Sequence, residues 1–251
     1  MKPSFLNHDK PLLTVMIQTP DPEAALRRIR MGREQGGDAF GLQVESLPRE
    51  LQEEEFRRLT AEMEGYPIYV THYRGGRNKG VSDEQLAEEL LHFADLGGTI
   101  FDVMNDYFKP TPGEFTDDPE AVAKQKKLIA DLHAKGAEVL MSCHVLKFIP
   151  AEEVLKIALA QQERGADVVK IVTGADTEEQ QIENLRICLL LKEKLSVPFL
   201  FLSGGKSRLL RRIGPKLGCC TYLCVCEHDA HTTPAQPLLT HVKALRDDYG
   251  L

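Results

Sequence analysis

The chain has no tryptophan, and aromatic residues make up only 6% of it. Stacked-base platforms and aromatic carbohydrate clefts are therefore not expected. Basic residues are not in excess: 31 Lys and Arg stand against 38 Asp and Glu, a net charge of −7, with no basic stripe to face nucleic acid. No stretch approaches the roughly 18 apolar residues that cross a bilayer. The first residues, Met1-Lys2-Pro3-Ser4-Phe5, lack the apolar core of a secretory signal. These absences predict a cytoplasmic protein without nucleic-acid or membrane partners.

A Cys-x-x-Cys pair is also missing. Four of the six cysteines crowd into Cys219-Cys220-Thr221-Tyr222-Leu223-Cys224-Val225-Cys226, a run that reads as one β-strand. Alternate residues of a strand face opposite sides, so these thiols cannot close round one ion. They are expected as free thiols filling a tight core, with no metal.

What the sequence does contain is repetition. Apolar runs of strand length occur at Leu12–Gln18, Ala39–Glu45, Pro67–Tyr73, Thr99–Met104, Ala137–Cys143, Asp167–Thr173, Pro198–Ser203 and Cys219–Cys226. Each is followed by a stretch with helical periodicity. In Ala151–Arg164 the apolar face would comprise Val154, Leu155, Ala158 and Leu159. In Thr177–Leu195 it would comprise Ile182, Leu185, Cys188, Leu189 and Leu191. Eight such units in 251 residues predict a single-domain α/β protein, a (β/α)8 TIM barrel. An open doubly wound sheet fits less well, because no Gly-x-Gly-x-x-Gly turn follows the first strand.

Two strands carry unusual residues for such a core. Glu138 to Val145 carries a histidine, His144, at its next-to-last position, and Gly165 to Gly174 holds Lys170 within a Val/Ile run. Desolvation disfavours a charged lysine there, and the commonest use of that cost is a Schiff base with a carbonyl substrate. A stem in the core with a snorkelling head is the plainer alternative. Barrel chemistry sits at the C-terminal ends of strands, which makes His144 and Lys170 neighbours on strands five and six. Ser203-Gly-Gly205 could offer backbone N–H groups to an anion. Arg74-Gly-Gly-Arg-Asn-Lys-Gly80 reads either as an anion-binding or mobile loop or as a solvated tip. The long connection Asp106 to Asp118 reads as a lid.

These residues resemble the type I 3-dehydroquinate dehydratases. Met141-Ser-Cys-His144 is similar to that family's Ser-x-His motif, and Gly165-Ala-Asp-Val-Val-Lys170 to its Schiff-base strand. Leu202-Ser-Gly-Gly205, the basic run after it and Gly218-Cys219 resemble its Met-Ser-Met-Gly…Ser-Arg…Gly-Ser stretch. Thr232-Thr-Pro-Ala-Gln236 resembles its Ser-Ala-Pro-Gly-Gln loop. The resemblance implies a homodimeric, cofactor-free lyase of the shikimate route. In it Lys170 forms an imine with a small carboxylated β-hydroxy ketone, and His144 moves the proton. The substrate carboxylate would be held by Arg211 (or Arg212), Gln236 and Thr232.

The first half departs from the pattern. Where the family has Glu-x-Arg on strand two, this chain has Gly41-Leu-Gln43. Arg74 would stand in for a strand-three arginine, and the histidine-orienting glutamate falls near Arg77 or Asn78. Strand four reads Asp102-Val-Met104 in place of Asp-x-Glu. Glu45, two strand positions beyond Gln43, is the expected substitute orienter. The losses imply an altered substrate preference or weak activity on dehydroquinate. Two other readings stay open. One is a class I aldolase, from the likeness of Lys170-Ile-Val-Thr-Gly174 to the Lys-Thr-Ser-Thr-Gly strand of deoxyribose-phosphate aldolases, with Lys147 or Lys206 as second lysine. The other is a non-catalytic barrel that binds a carboxylated metabolite.

Overall fold

A computed structural model describes residues 2–47, 50–205 and 208–248. The expected strands form as β1 Leu12–Ile17, β2 Ala39–Gln43, β3 Ile68–Thr71, β4 Ile100–Met104, β5 Glu138–His144, β6 Val168–Ala175, β7 Phe199–Gly205 and β8 Thr221–Cys224. They order as β7-β6-β5-β4-β3-β2-β1-β8, and a parallel bridge from Phe199 to Cys219 joins β7 to the residues leading into β8. The helices are α1 Pro22–Glu34, α2 Glu53–Glu62, α3 Asp83–Asp95, α4 Pro119–Ala134, α5 Ala151–Glu163, α6 Glu178–Lys194, α7 Leu210–Ile213 and α8 Leu239–Asp248. A parallel strand followed each time by a helix gives the (β/α)8 TIM barrel fold.

Capping residues set the helix starts. Asp21, Ser82 and Thr177 accept a backbone N–H from the first turns of α1, α3 and α6, and Pro22 fixes the opening φ of α1. The strands are buried almost throughout, as parallel strands covered on both faces must be.

By internal contacts the chain divides into two compact units. One comprises Met1–Asp102, Asp131–Glu138 and Leu223–Leu251; the other comprises Val103–Ala130 and Val139–Tyr222.

In the first unit the backbone leaves β2 sooner than the apolar run suggests. Val44–Ser46 form a 3-10 turn, so Glu45 does not continue the face of Gln43. The glycine-rich loop is tied to this turn: Arg77 Nε donates to the Val44 carbonyl, and Asn78, fully buried, donates to the Tyr73 carbonyl and to His72 Nδ1. Gly76 has φ 58°, and a Cβ there would overlap the Glu45 carbonyl oxygen, so only glycine fits. The loop is thus anchored through Arg77 and Asn78 while Gly75, Gly76, Lys79 and Gly80 stay exposed.

In the second unit the helix faces differ from those read in the sequence. On α5 the buried positions are Ala151, Val154, Ile157, Ala158 and Gln161; on α6 they are Asn184, Ile187, Cys188 and Leu191. Leu159, Ile182 and Leu189 point outward. Buried polar residues explain the rotation. Gln161 donates to the Lys170 carbonyl and accepts from the Lys170 N–H, while Asn184 donates to the Gly174 carbonyl and to Ser203 Oγ. Two amides thus satisfy groups of β6 and β7 that apolar side chains would leave without partners. The Ser203 hydroxyl is thereby engaged by α6.

Candidate active site

The second unit holds the amine and the histidine. Register pairs Ser142 with Lys170 and His144 with Val172. Paired residues of neighbouring strands share a face, so His144 and Lys170 are diagonal neighbours on one side of the sheet. Lys170 is 3% exposed, and its peptide is gripped at both polar groups by Gln161.

The partner of His144 is a residue the sequence reading missed. Glu114, on the long connection after β4, accepts from His144 Nδ1 at 2.7 Å and from the His144 backbone N–H at 3.0 Å, both through Oε2. A carboxylate only accepts, so Nδ1 carries a proton directed at Glu114. Glu114 adopts φ 54°, left-handed backbone that costs a non-glycine residue about 1–2 kcal/mol. Surrounding bonds hold it: Thr111 Oγ1 donates to the Phe115 carbonyl and accepts its N–H, and Cys143 Sγ donates to the Gly113 carbonyl. The connection expected as a lid is bonded internally and to β5 at these points. The sequence offers only a weak signal for Glu114, a glutamate within a long βα connection.

Arg211, on α7, donates from Nε to the Ser203 carbonyl at 2.9 Å. Burial, with Arg208 nearby, lowers its guanidinium pKa to about 10. Arg212 is exposed and bonds the Arg208 carbonyl. Of the two candidates, Arg211 is the partly buried cation with polar support, and Lys147 is solvent-exposed. Lys206 lies outside the described residues.

The first unit contains the remaining candidates. Gln236 is buried, and its Oε1 has no protein partner. Thr232 Oγ1 accepts the Asp229 N–H and bonds the Asp229 carbonyl, so this hydroxyl serves its own turn. Gln43 Oε1 accepts from Gln18, which also donates to Thr233. The Met16 thioether fills the space a Cβ at Gly41 would take.

Glu45 is not a histidine orienter: both of its oxygens accept from Thr71 Oγ1, and burial pushes its carboxyl up to about 7. Arg74 is engaged by both oxygens of Asp83, at 2.7 and 2.8 Å, and its charge is answered there. Asp102 accepts from the hydroxyls of Tyr69 and Tyr73. Burial first, and then the Asp102 charge, hold both phenols well above their ordinary range.

The sequence model of the type I 3-dehydroquinase family matches residues 13–249. The chain belongs to the type I 3-dehydroquinase family. A 3-dehydroquinate dehydratase of Klebsiella pneumoniae subsp. pneumoniae is 33% identical over 97 residues, 38% of this chain and 39% of that protein. One from Aromatoleum aromaticum is 26% identical over 164 residues, 63% of this chain and 57% of the relative. The chain thus aligns with about two fifths to three fifths of the length of these curated relatives. Among solved structures, the 3-dehydroquinate dehydratase of Geobacillus kaustophilus superposes with TM-score 0.83 at 14% identity, covering 96% of this chain and 92% of the other. The Clostridium difficile type I enzyme, described with covalently modified comenic acid, gives 0.80 at 16% identity over 96% and 93%. At these identities the superpositions speak for the fold.

Proposed function

We propose that this member of the type I 3-dehydroquinase family is a Schiff-base dehydratase of a small carboxylated β-hydroxy ketone. The observation that carries the reading is the pairing of His144 with Glu114 on the same sheet face as the buried Lys170. In the first step the Lys170 amine adds to the ketone carbon, and loss of water leaves an iminium. The iminium draws electrons from the adjacent C–H bond, and His144 Nε2 takes that proton, with Glu114 carrying the imidazolium charge. The same proton then returns to the β-hydroxyl, which departs as water. A second water hydrolyses the imine, freeing Lys170 and releasing an enone acid. Arg211 is the proposed carboxylate partner.

An altered substrate preference belongs to the same proposal. At the positions where the resemblance implies contacts to a hydroxyl-bearing end, Gly41 yields its space to Met16, Gln43 is bonded to Gln18, and Arg74 is bonded to Asp83. Loss of bidentate partners there would weaken binding of that end by on the order of a few kcal/mol. Homodimerisation is expected from the resemblance, and a cytoplasmic location from the composition. Ile182 and Leu189, 66% and 52% exposed on one stripe of α6, suit a subunit contact.

The test is direct. Incubation with 3-dehydroquinate should produce a conjugated enone by absorbance, slowly relative to an intact family enzyme. His144→Ala should lower the rate by about 10²–10⁴-fold. Absence of any enone from folded protein, across a panel of β-hydroxy keto acids, would leave the non-catalytic barrel as the better reading. Carbon–carbon cleavage in its place would favour the aldolase.

A further inference from the structure

Glu114 is strained, lies in a loop, and still meets His144 with two hydrogen bonds. What holds that loop comes from outside the site. Arg164, at the C-terminal end of α5, is buried, and all four of its hydrogen bonds end on neutral oxygens. Nη1 donates to the Asn105 carbonyl, Asn105 Oδ1 and Gln125 Oε1 at 3.0, 2.7 and 2.9 Å. Nη2 donates to the Thr116 carbonyl at 2.6 Å. Its guanidinium carbon lies 5.5 Å from the centre of the Phe115 ring.

Asn105 directly follows β4, and Thr116 stands just before α4. One planar group therefore closes the two ends of the connection, and Glu114 sits inside the closed segment. Gln125 reinforces the clasp by donating to the Asn105 and Tyr107 carbonyls. None of the Arg164 hydrogen bonds ends on a carboxylate, and desolvation, opposed in part by the charges of Asp117 and Glu163, holds the Arg164 pKa below the ordinary guanidinium value. A cost of that kind is expected where the cation's geometry is used. An ammonium is a point charge and cannot span both loop ends as the planar fork does.

We propose that Arg164 is a positioning residue, clasping the β4–α4 connection so that Glu114 fixes His144 with its proton on Nδ1. The inference rests on the dehydratase reading for its catalytic consequence but not for its structural one, and the two are tested separately. Arg164→Lys should lower kcat by about tenfold or more with little change in KM, since the residue touches no substrate. Placed on a Glu114→Gln background, the same substitution should add nothing further, because its effect passes through Glu114. Gln125→Met, which keeps the bulk of the side chain but loses the amide, should act in the same direction and less strongly.

The readout independent of turnover is the ¹⁵N spectrum of His144. It should report the Nδ1–H form in the parent and a mixture of tautomers in Arg164→Lys. A parent lacking dehydratase activity would remove the catalytic reading alone, while the tautomer spectra would still decide the clasp. The proposal is overturned if both folded variants keep the parent tautomer, or if the kinetic losses of Arg164→Lys and Glu114→Gln multiply independently.

Discussion

Lys170→Met should abolish turnover, by a factor on the order of 10⁴ or more, while leaving the fold intact. The amine is the only group in the proposed mechanism that bonds to substrate, so no neighbour can take over its part. Lys147 does not qualify, being solvent-exposed and outside any strand. Methionine has nearly the volume of the lysine stem and belongs in an apolar strand, so stability should change by less than about 1.5 kcal/mol. The pairing of lost activity with preserved stability separates chemistry from structure. Steady-state rates on the substrate panel, with thermal melts of the same preparations, make the measurement. Residual turnover within tenfold of the parent would place the imine elsewhere or exclude it.

Glu45→Gln should raise stability strongly above neutral pH and hardly at all in acid. Burial raises the Glu45 carboxyl to about 7 in the folded chain, whereas an unfolded glutamate titrates near about 4.3. Between those values the folded chain still holds a proton that the unfolded chain has released. Stability therefore falls as pH rises from about 4.3 to about 7, and stays lower above it. The integrated loss is about 4 kcal/mol, an upper figure for a single buried carboxylate. Glutamine keeps an oxygen for the Thr71 hydroxyl and never ionises. At pH 8 the variant should melt roughly 10 °C above the parent, with the two converging near pH 4. Parallel melting curves across that range would contradict the assignment.

The strands were legible because a parallel sheet covered on both faces leaves long Val/Ile/Leu runs in the sequence. Helix orientation was less so. Periodicity sends amides outward, yet Gln161 and Asn184 turn inward to satisfy strand groups, and Ile182 and Leu189 take the outer face. Lys170 and His144 stood out as polar residues in apolar strands.

Glu114 did not stand out, because the contact spans 30 residues and depends on a left-handed backbone that no local pattern announces. Glu45 was misassigned by counting strand positions past Gln43, where the chain has already turned. Arg74 was read from the resemblance as the stand-in for a strand-three arginine, and Asp83, nine residues on, answers its charge. In each case the chain supplies a nearby partner that spacing arguments do not see.

The most direct test of the central claim is borohydride trapping. The protein would be incubated with 3-dehydroquinate and reducing agent, weighed intact by mass spectrometry, and mapped by peptide. The account predicts one stable secondary-amine adduct, on Lys170, absent from Lys170→Met. Turnover without any adduct, or an adduct confined to another lysine, would contradict it.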